Sequence, residues 1–346
     1  MTVDITKENI SLSETEVSEN NFNRERTIQN IDILRQFKAG NCSTLKGYTG
    51  FGGLRRAFKD EAIQAELNQI LSADELDKLH KSTSTGYFTP DLLIDFIYKA
   101  VQHLGFTGGK VLEPACGHGA FFERMPETMR QKSQITGIEL EPLSAAMAKA
   151  LYPDVKIVTG SFQYFHESEF DLIIGNPPYA RFKAFDKKHP DLKEEMIHHY
   201  FVAKSARLLK ENGLLAMIVP CYVLDNPQRH LREQIAEVAD LVAAYRLPEN
   251  LFSDAKVTVD IIILQRKANP SKNWQGASKV TLHNQDRFYL ADHFVKNPDH
   301  VLGELSTYEA YSHFEERPRR GLRCTASESE VNTRLATFLN ELKPLV

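Results

Sequence analysis

The stretch "DLIIGNPPYA", Asp171–Ala180, runs apolar and then stops on Asn-Pro-Pro-Tyr. Proline has no amide hydrogen to give a central ladder, so a strand must end here. The residues that follow are held stiffly at its carboxyl end, which in an open α/β sheet is where ligands bind. Working outward, strand-like runs flank it on both sides. "KVLEP" (110–114), "QITGIEL" (134–140) and "VKIVTG" (155–160) precede it. "LLAMIVP" (214–220), "LVAAYRL" (241–247) and "VTVDIIILQR" (257–266) follow. Helical periodicity fills most of the gaps between them, in "PDLLIDFIYKAVQHLG", "PLSAAMAKALY", "LKEEMIHHYFVAKSARLLKENG" and "PQRHLREQIAEVAD". This rhythm predicts a Rossmann-like, mostly parallel sheet of seven strands with helices on both faces. The last two strands are joined only by "PENLFSDAK", too short for a crossover helix, so an antiparallel final pair is expected.

Three parts are expected: a helical region over 1–84 with its first ~20 residues loosely ordered, an α/β domain over 85–267, and an extension over 268–346. Asp60 and Ser72 read as helix starts in the first part, "NPSKNWQGASK" as a loop and "SEVNTRLATFLNELKPL" as a helix in the third. The net charge of −4 argues mildly against a tight non-specific nucleic-acid binder without excluding a local basic cleft. Cys42, Cys116, Cys221 and Cys324 lie far apart without metal spacing, which fits a reduced, cytoplasmic protein. No metal site is expected. His198 and His199 read as an exposed helix pair. There is no long apolar run for a membrane helix and no signal-peptide pattern at the start.

The chemistry concentrates in "KVLEPACGHGAFFERM", a strand, a turn with Gly117 and Gly119, then a helix. Small residues there let backbone approach a ligand closely. Glu139, twenty residues beyond Gly119, ends the next strand and is placed to accept from both hydroxyls of a ribose. Phe122 stands where a dinucleotide fingerprint needs its third glycine, and no phosphate loop is present. Glu113, just before the turn, would repel a diphosphate but suit an ammonium or sulfonium. S-adenosyl-L-methionine (SAM) carries both, and a ribose. In Asn-Pro-Pro-Tyr, the Asn176 side-chain oxygen and the Pro177 carbonyl can accept the two N–H bonds of an exocyclic amine. That localises the nitrogen lone pair, and Pro178 fixes both acceptors in advance. Tyr179 offers a ring for base stacking, worth ~1–3 kcal/mol.

"VLEPACGHGAFF…GIEL…GNPPYA", with "TGYFTP" before it, resembles the SAM-dependent N6-adenine DNA methyltransferases in gamma-group motif order. The resemblance covers about residues 85–267. It implies a class I SAM-dependent methyltransferase fold, methylation of adenine N6 in DNA, and base flipping, because the amine is otherwise held in the duplex. It assigns Tyr87, Thr89, Pro90, Glu113 and Ala115 to the methionine end of the cofactor, and Gly117 and Gly119 to its turn. Glu139 falls to the ribose, and Leu140, Phe162 and Pro178 to the adenine. Where the family has an acidic residue for the adenine amine, "TGSFQYF" has Ser161, a weaker acceptor. Phe252, in "LPENLFSDAKVTVDIIILQ", stands where an aromatic stacks on the flipped base, or else is ordinary core. The segment "RFKAFDKKHP", with Arg181, Lys183, Lys187 and Lys188 beside Phe182 and Phe185, reads either as a substrate lid or as a solvated loop.

"GYTGFGGLRRAF" and "LSADELDKLHKSTSTGYFTP" are similar to the region before the methylase domain of large phage and plasmid methylase–helicase proteins. The glycines and aromatics of the first either wrap over the cofactor mouth, with Arg55 and Arg56 near DNA, or form a structural helical cap that closes the sheet. Only about 80 residues follow the last strand, so sequence specificity is expected to come from little material, from a separate specificity subunit or helicase partner, or to be weak. Other amine or amide acceptors, in RNA or a protein glutamine, stay open. So does a non-catalytic SAM- and DNA-binding recognition or anti-restriction subunit. The role (restriction-modification, host regulation or phage defence) is not fixed by these residues.

Overall fold

The computed structural model describes residues 14–180, 182–192, 196–252, 257–282, 285–310 and 319–345. Arg181, part of the segment after Asn-Pro-Pro-Tyr, and residues 315–318 of the basic run "EERPRRGLR" lie outside them.

The first part is helical, as expected: α1 (Glu14–Lys38), α2 (Glu61–Ile70) and α3 (Ala73–Ser82). Residues 14–20, expected to be loose, instead begin α1. Asp60 caps α2 by accepting from the amides of Ala62 and Ile63, and Ser72 and Glu75 close a reciprocal capping box on α3. The region has its own apolar cluster, including Leu34, Leu45, Phe51, Phe58 and Leu67. It reaches the rest of the chain through Leu143 and Met147.

The central part follows as α4 (Asp91–His103), β1 (Lys110–Glu113), α5 (Ala120–Arg124), α6 (Glu127–Arg130), β2 (Gln134–Glu139), α7 (Pro142–Leu151), β3 (Lys156–Thr159), β4 (Phe170–Gly175), α8 (Ile197–Leu208), β5 (Leu209–Pro220), α9 (Tyr222–Asp225), α10 (His230–Ala236), β6 (Ala239–Leu247) and β7 (Val259–Arg266). These seven strands form one sheet in the order β3-β2-β1-β4-β5-β7-β6. β1 to β5 pair in parallel, and β7 inserts antiparallel to both β5 and β6. The expected Rossmann-like α/β sheet with its antiparallel final pair is therefore present. Two apolar clusters cover its two faces, one including Leu93, Ile97, Val111, Ile174 and Phe338, the other Leu112, Ile173, Tyr200 and Ile262.

After β3 the chain returns to the far side of β1, so the strand order reverses between β1 and β4. A crevice opens at the carboxyl ends of two strands at such a switch point. Here those ends are Glu113–Pro114 and Gly175–Asn176.

The extension holds more sheet than periodicity predicts. β8 (Ala277–Thr281) pairs with β9 (Arg287–Ala291), and β10 (Glu304–Ala310) with β11 (Arg319–Thr325), with α11 (Asp292–Lys296) between the hairpins and α12 (Glu328–Glu341) after them. α12 sends Val331, Leu335 and Phe338 into the central core. Among the described residues no helix is long and apolar enough to cross a membrane.

Candidate cofactor and amine-acceptor site

A cavity of about 610 Å³ occupies the crevice at the switch point, within the range that holds a small cofactor. It brings together most of the residues that sequence assigns to the cofactor: Tyr87, Thr89, Glu113, Ala115, Gly117, Glu139, Leu140, Ser161, Phe162 and Pro178. Asn176 lines the same cavity. Pro90 and Gly119 do not; Pro90 precedes α4 and Gly119 precedes α5.

Glu113 is 2 % exposed, and its Oε2 has no hydrogen-bond partner among the described residues. Burial, with a smaller contribution from Glu139, pushes its carboxyl well above the usual carboxylate range. A buried acceptor left without a partner costs free energy unless a ligand supplies one. At the end of β2, Glu139 accepts from the Gly117 amide at 2.8 Å and the Glu141 amide at 2.7 Å. Burial raises its carboxyl to about 7 against those hydrogen bonds. Glu139 thus shapes the glycine turn, and each of its oxygens keeps a second lone pair for a ligand.

The turn needs its glycines for different reasons. Gly117 is left-handed, at φ 54°, and a Cβ there would meet nothing within 4 Å. Gly119, at φ 100°, would drive a Cβ to 2.5 Å from Tyr152 and 2.8 Å from Phe122. One glycine keeps the turn open beside the cavity, and the other seats α5 on the core. Leu140 offers an apolar side chain, 68 % exposed, at the cavity wall. Ser161 caps the turn that follows β3, accepting from the Gln163 amide at 3.4 Å.

Asn176 is held from two sides. Its Nδ2 donates to Thr89 Oγ1 at 3.2 Å, and its Oδ1 accepts from the Tyr179 hydroxyl at 2.6 Å. The Tyr179 hydroxyl also lies 3.1 Å from the Ile218 carbonyl, at the end of β5. One lone pair of the amide oxygen remains for a further donor. Pro177 is buried, and neither it nor Tyr179 lines the cavity. Beyond Asn176, the half-buried Tyr179 ring lies edge-on to His198 at 6.2 Å, and His198 lies 5.0 Å from the partly exposed Tyr222.

His198 and His199 are not the exposed pair expected. They are 0 % and 1 % exposed, and all four ring nitrogens lack partners among the described residues. Burial lowers His198 to about 2 and His199 to about 4, so both are neutral. α8 sits between the sheet and the segment after Asn-Pro-Pro-Tyr, so its polar and apolar residues are buried alike. Phe252 is 7 % exposed and packs in the core with Tyr245, Leu247 and Val259. Lys183, Lys187, Phe182 and Phe185 are exposed, and Phe182 reaches the cavity.

Three features of the site are not legible in the sequence. The first is the part α3 plays in it: its end, from Lys78 to Ser82, forms part of the wall beside Tyr48, Gly50 and Phe51 of the glycine-rich stretch that the sequence places over the cofactor mouth or in a cap. The second is His118, between the two turn glycines, which is buried against Phe88 at 4.7 Å and Tyr48 at 5.8 Å. The third is a buried ion pair, Lys204 with Asp186 at 2.7 Å, in which Tyr200 also donates to Asp186 at 2.7 Å. Lys204 further donates to the carbonyls of Phe162 at 2.8 Å and Gln163 at 3.3 Å. It thereby ties the Ser161–Phe162 turn and the segment after Asn-Pro-Pro-Tyr to α8. Burial raises the Asp186 carboxyl, but the hydrogen bonds from Lys204 and Tyr200 outweigh it and hold it at about 2.

The chain is similar in sequence to known methylases. Residues 119–252 match the Eco57I restriction-modification methylase family. The chain is 29 % identical over 221 residues to Type II methyltransferase M.CvrRI of Paramecium bursaria Chlorella virus XZ-6E, an alignment covering 61 % of this chain and 54 % of that one. It is 24 % identical over 257 residues to Defense against restriction protein B of Escherichia phage P1, covering 70 % of this chain and 10 % of the phage protein. The chain thus spans about half of the first relative and a tenth of the second. Among solved structures, the type I restriction-modification methyltransferase subunit from Streptococcus thermophilus overlays with a TM-score of 0.48 at 15 % identity, covering 69 % of this chain and 60 % of that one. The match to the methylase family begins at the second turn glycine and ends at Phe252. It therefore takes in Glu139, Asn-Pro-Pro-Tyr and the strands between them.

Proposed function

We propose that this protein is a SAM-dependent DNA methyltransferase of restriction-modification type that modifies the exocyclic N6 amine of adenine. The observation that carries the reading is the placement of Asn176 and the unpartnered Glu113 carboxylate on the walls of one cavity, at the point where the strand order reverses. The residues fit SAM. Glu113 would meet the methionine ammonium, with Tyr87, Thr89 and Ala115 nearby. Gly117 leaves room at the turn, Glu139 has lone pairs for the ribose hydroxyls, and Leu140, Phe162 and Pro178 give apolar walls for the adenine. Ser161 would accept from the adenine amine. SAM supplies a methyl group on a positively charged sulfur.

The chain's own contribution is to prepare the acceptor nitrogen. Adenine N6 is a poor nucleophile because its lone pair is delocalised into the ring. The remaining lone pair on Asn176 Oδ1 takes one N–H, and the Pro177 carbonyl takes the second. Thr89 and Tyr179 hold the Asn176 amide in place before the base arrives, so no reorganisation is needed at the moment of reaction. The base is flipped from the duplex, since its amine is otherwise paired, and comes to rest on the Tyr179 side of Asn176. A separate specificity subunit or helicase partner would supply sequence selection. In support of that, the phage relative is about ten times the length of the segment it shares with this chain.

Incubation with methyl-labelled SAM and, separately, unmethylated DNA, RNA or cell extract tests the reading. Label is expected in DNA. Label confined to RNA or to protein would reject DNA as the substrate, and no label in any acceptor despite SAM binding would favour a recognition subunit. Asn176→Ala is expected to lower transfer by at least 100-fold while leaving cofactor binding within about 3-fold, the size of loss typical for one preorganised acceptor.

A further inference from the structure

A second depression lies in the helical region, away from the cofactor cavity. It is lined by Arg24, Thr27, the segment from Gly53 to Ala57, Lys59, Asp60 and Ile63. Arg24, Arg55, Arg56 and Lys59 are all exposed, and their charged groups make no hydrogen bond or ion pair with any described residue. The one carboxylate on its wall, Asp60, is already accepting from the first amides of α2. Four cations without a partner among the described residues line a single concavity on a chain whose net charge is −4. Cations scattered for solubility have no reason to converge in this way, and convergence raises the local potential that attracts an anion.

The start of the loop carrying Arg55 and Arg56 is braced by hydrogen bonds. Arg26 donates to the carbonyls of Thr49 and Gly50 at 3.0 Å each and of Gly52 at 3.2 Å, and Asn30 donates to the Gly50 carbonyl at 2.6 Å. At Gly52 any side chain would meet the Gly86 carbonyl at 2.1 Å, so this loop lies directly on the segment that leads to Thr89. Tyr48, Gly50 and Phe51 line the cofactor cavity, and Gly53 to Ala57 line the basic depression. One braced loop therefore has the methyl-donor site on one side and the cations on the other.

We propose that this depression seats the phosphodiester backbone of the nucleic-acid substrate. The proposal rests on the functional reading above and adds to it a docking surface outside the central sheet. Arginine forks suit phosphate oxygens, and such contacts set position without reading sequence.

The test is fluorescence anisotropy with a labelled duplex over a salt series, using the full chain, the double variant R55Q/R56Q, and a charge-matched control, K99Q/K296Q, on exposed positions of α4 and α11. Each phosphate contact contributes about 0.9 to the slope of log affinity against log salt. The slope for R55Q/R56Q is expected to fall by about two, with affinity weakened about tenfold or more near physiological salt. SAM binding and the control variant should be unchanged. A wild-type slope and affinity in R55Q/R56Q would overturn the proposal while leaving duplex binding and methylation by the wild type intact. Competition by millimolar inorganic phosphate at constant ionic strength would also overturn it, in favour of a small-anion site. Absence of both duplex binding and methylation in the wild type would instead remove the functional reading, and this proposal with it.

Discussion

Glu113 carries the most chemical information of any single residue. Its carboxyl is buried, held well above the usual carboxylate range, and lacks a partner at Oε2 among the described residues. Folded-state pKa values above the unfolded carboxylate value of about 4.3 favour the native state at low pH. The contribution is full below that value and is lost as pH rises through the folded pKa, which for Glu139 is about 7. A cationic ligand reverses the preference by stabilising the ionised form. The melting temperature of unliganded protein is therefore expected to fall as pH rises above the usual carboxylate range, and to fall more than that of Glu113→Gln, followed by thermal denaturation. Over the same range SAM binding should tighten and release protons, seen as buffer-dependent binding enthalpies, and Glu113→Gln should weaken binding by tenfold or more and release fewer protons. At this scale the sequence was informative: Glu113, Glu139, Gly117 and Asn176 are legible because each stands next to a strand end, and strand ends are marked by apolar runs that stop. Ser161, standing where the resembling family has an acid, is predicted to act through its hydroxyl. Ser161→Asp should tighten SAM binding by a few-fold and Ser161→Ala should loosen it, as measured by calorimetry.

Among the elements, α8 shows why periodicity has limits. Eleven of its residues are buried, including two histidines and a lysine, so it presents no solvent face from which a helix's orientation could be read. Lys204 and Asp186 are eighteen positions apart, and nothing local marks them as partners in the interior. The expected solvated loop after Asn-Pro-Pro-Tyr is accordingly half right: Lys187 and Phe185 are exposed, whereas Asp186 between them is sealed inside. Removing one member of a buried pair leaves the other uncompensated, typically at about 3–5 kcal/mol. Asp186→Ala should lose about that much in urea unfolding, and the apolar pair Asp186→Leu with Lys204→Met should recover much of it. The recovered variant should still bind SAM less well, because Lys204 also holds the carbonyls of the Phe162–Gln163 turn. The hairpins of the extension were illegible for a related reason. β8 alternates little between buried and exposed positions.

At the level of the whole molecule, the helical region is part of the site. It contributes Tyr48, Phe51 and the end of α3 to the cofactor cavity and packs on α7 through Leu143 and Met147. The sequence marks the region as helical and its glycine-rich stretch as a cover for the cofactor mouth or a structural cap, but the part α3 plays in the wall depends on long-range packing that no local pattern encodes. Hydrogen exchange should therefore slow on addition of S-adenosylhomocysteine at residues 48–52 and 84–89 as well as at the glycine turn. Protection confined to residues 113–119 would detach the helical region from cofactor binding. The central claim is that Asn176 prepares an adenine amine beside a bound methyl donor. Nucleoside mass spectrometry of duplex DNA, after incubation with deuterated-methyl SAM and either wild-type protein or Asn176→Ala, tests it most directly. The account predicts labelled N6-methyladenine from the wild type and none above background from the variant, with both proteins binding SAM. Label on cytosine, or equal label on adenine from the two proteins, would contradict it.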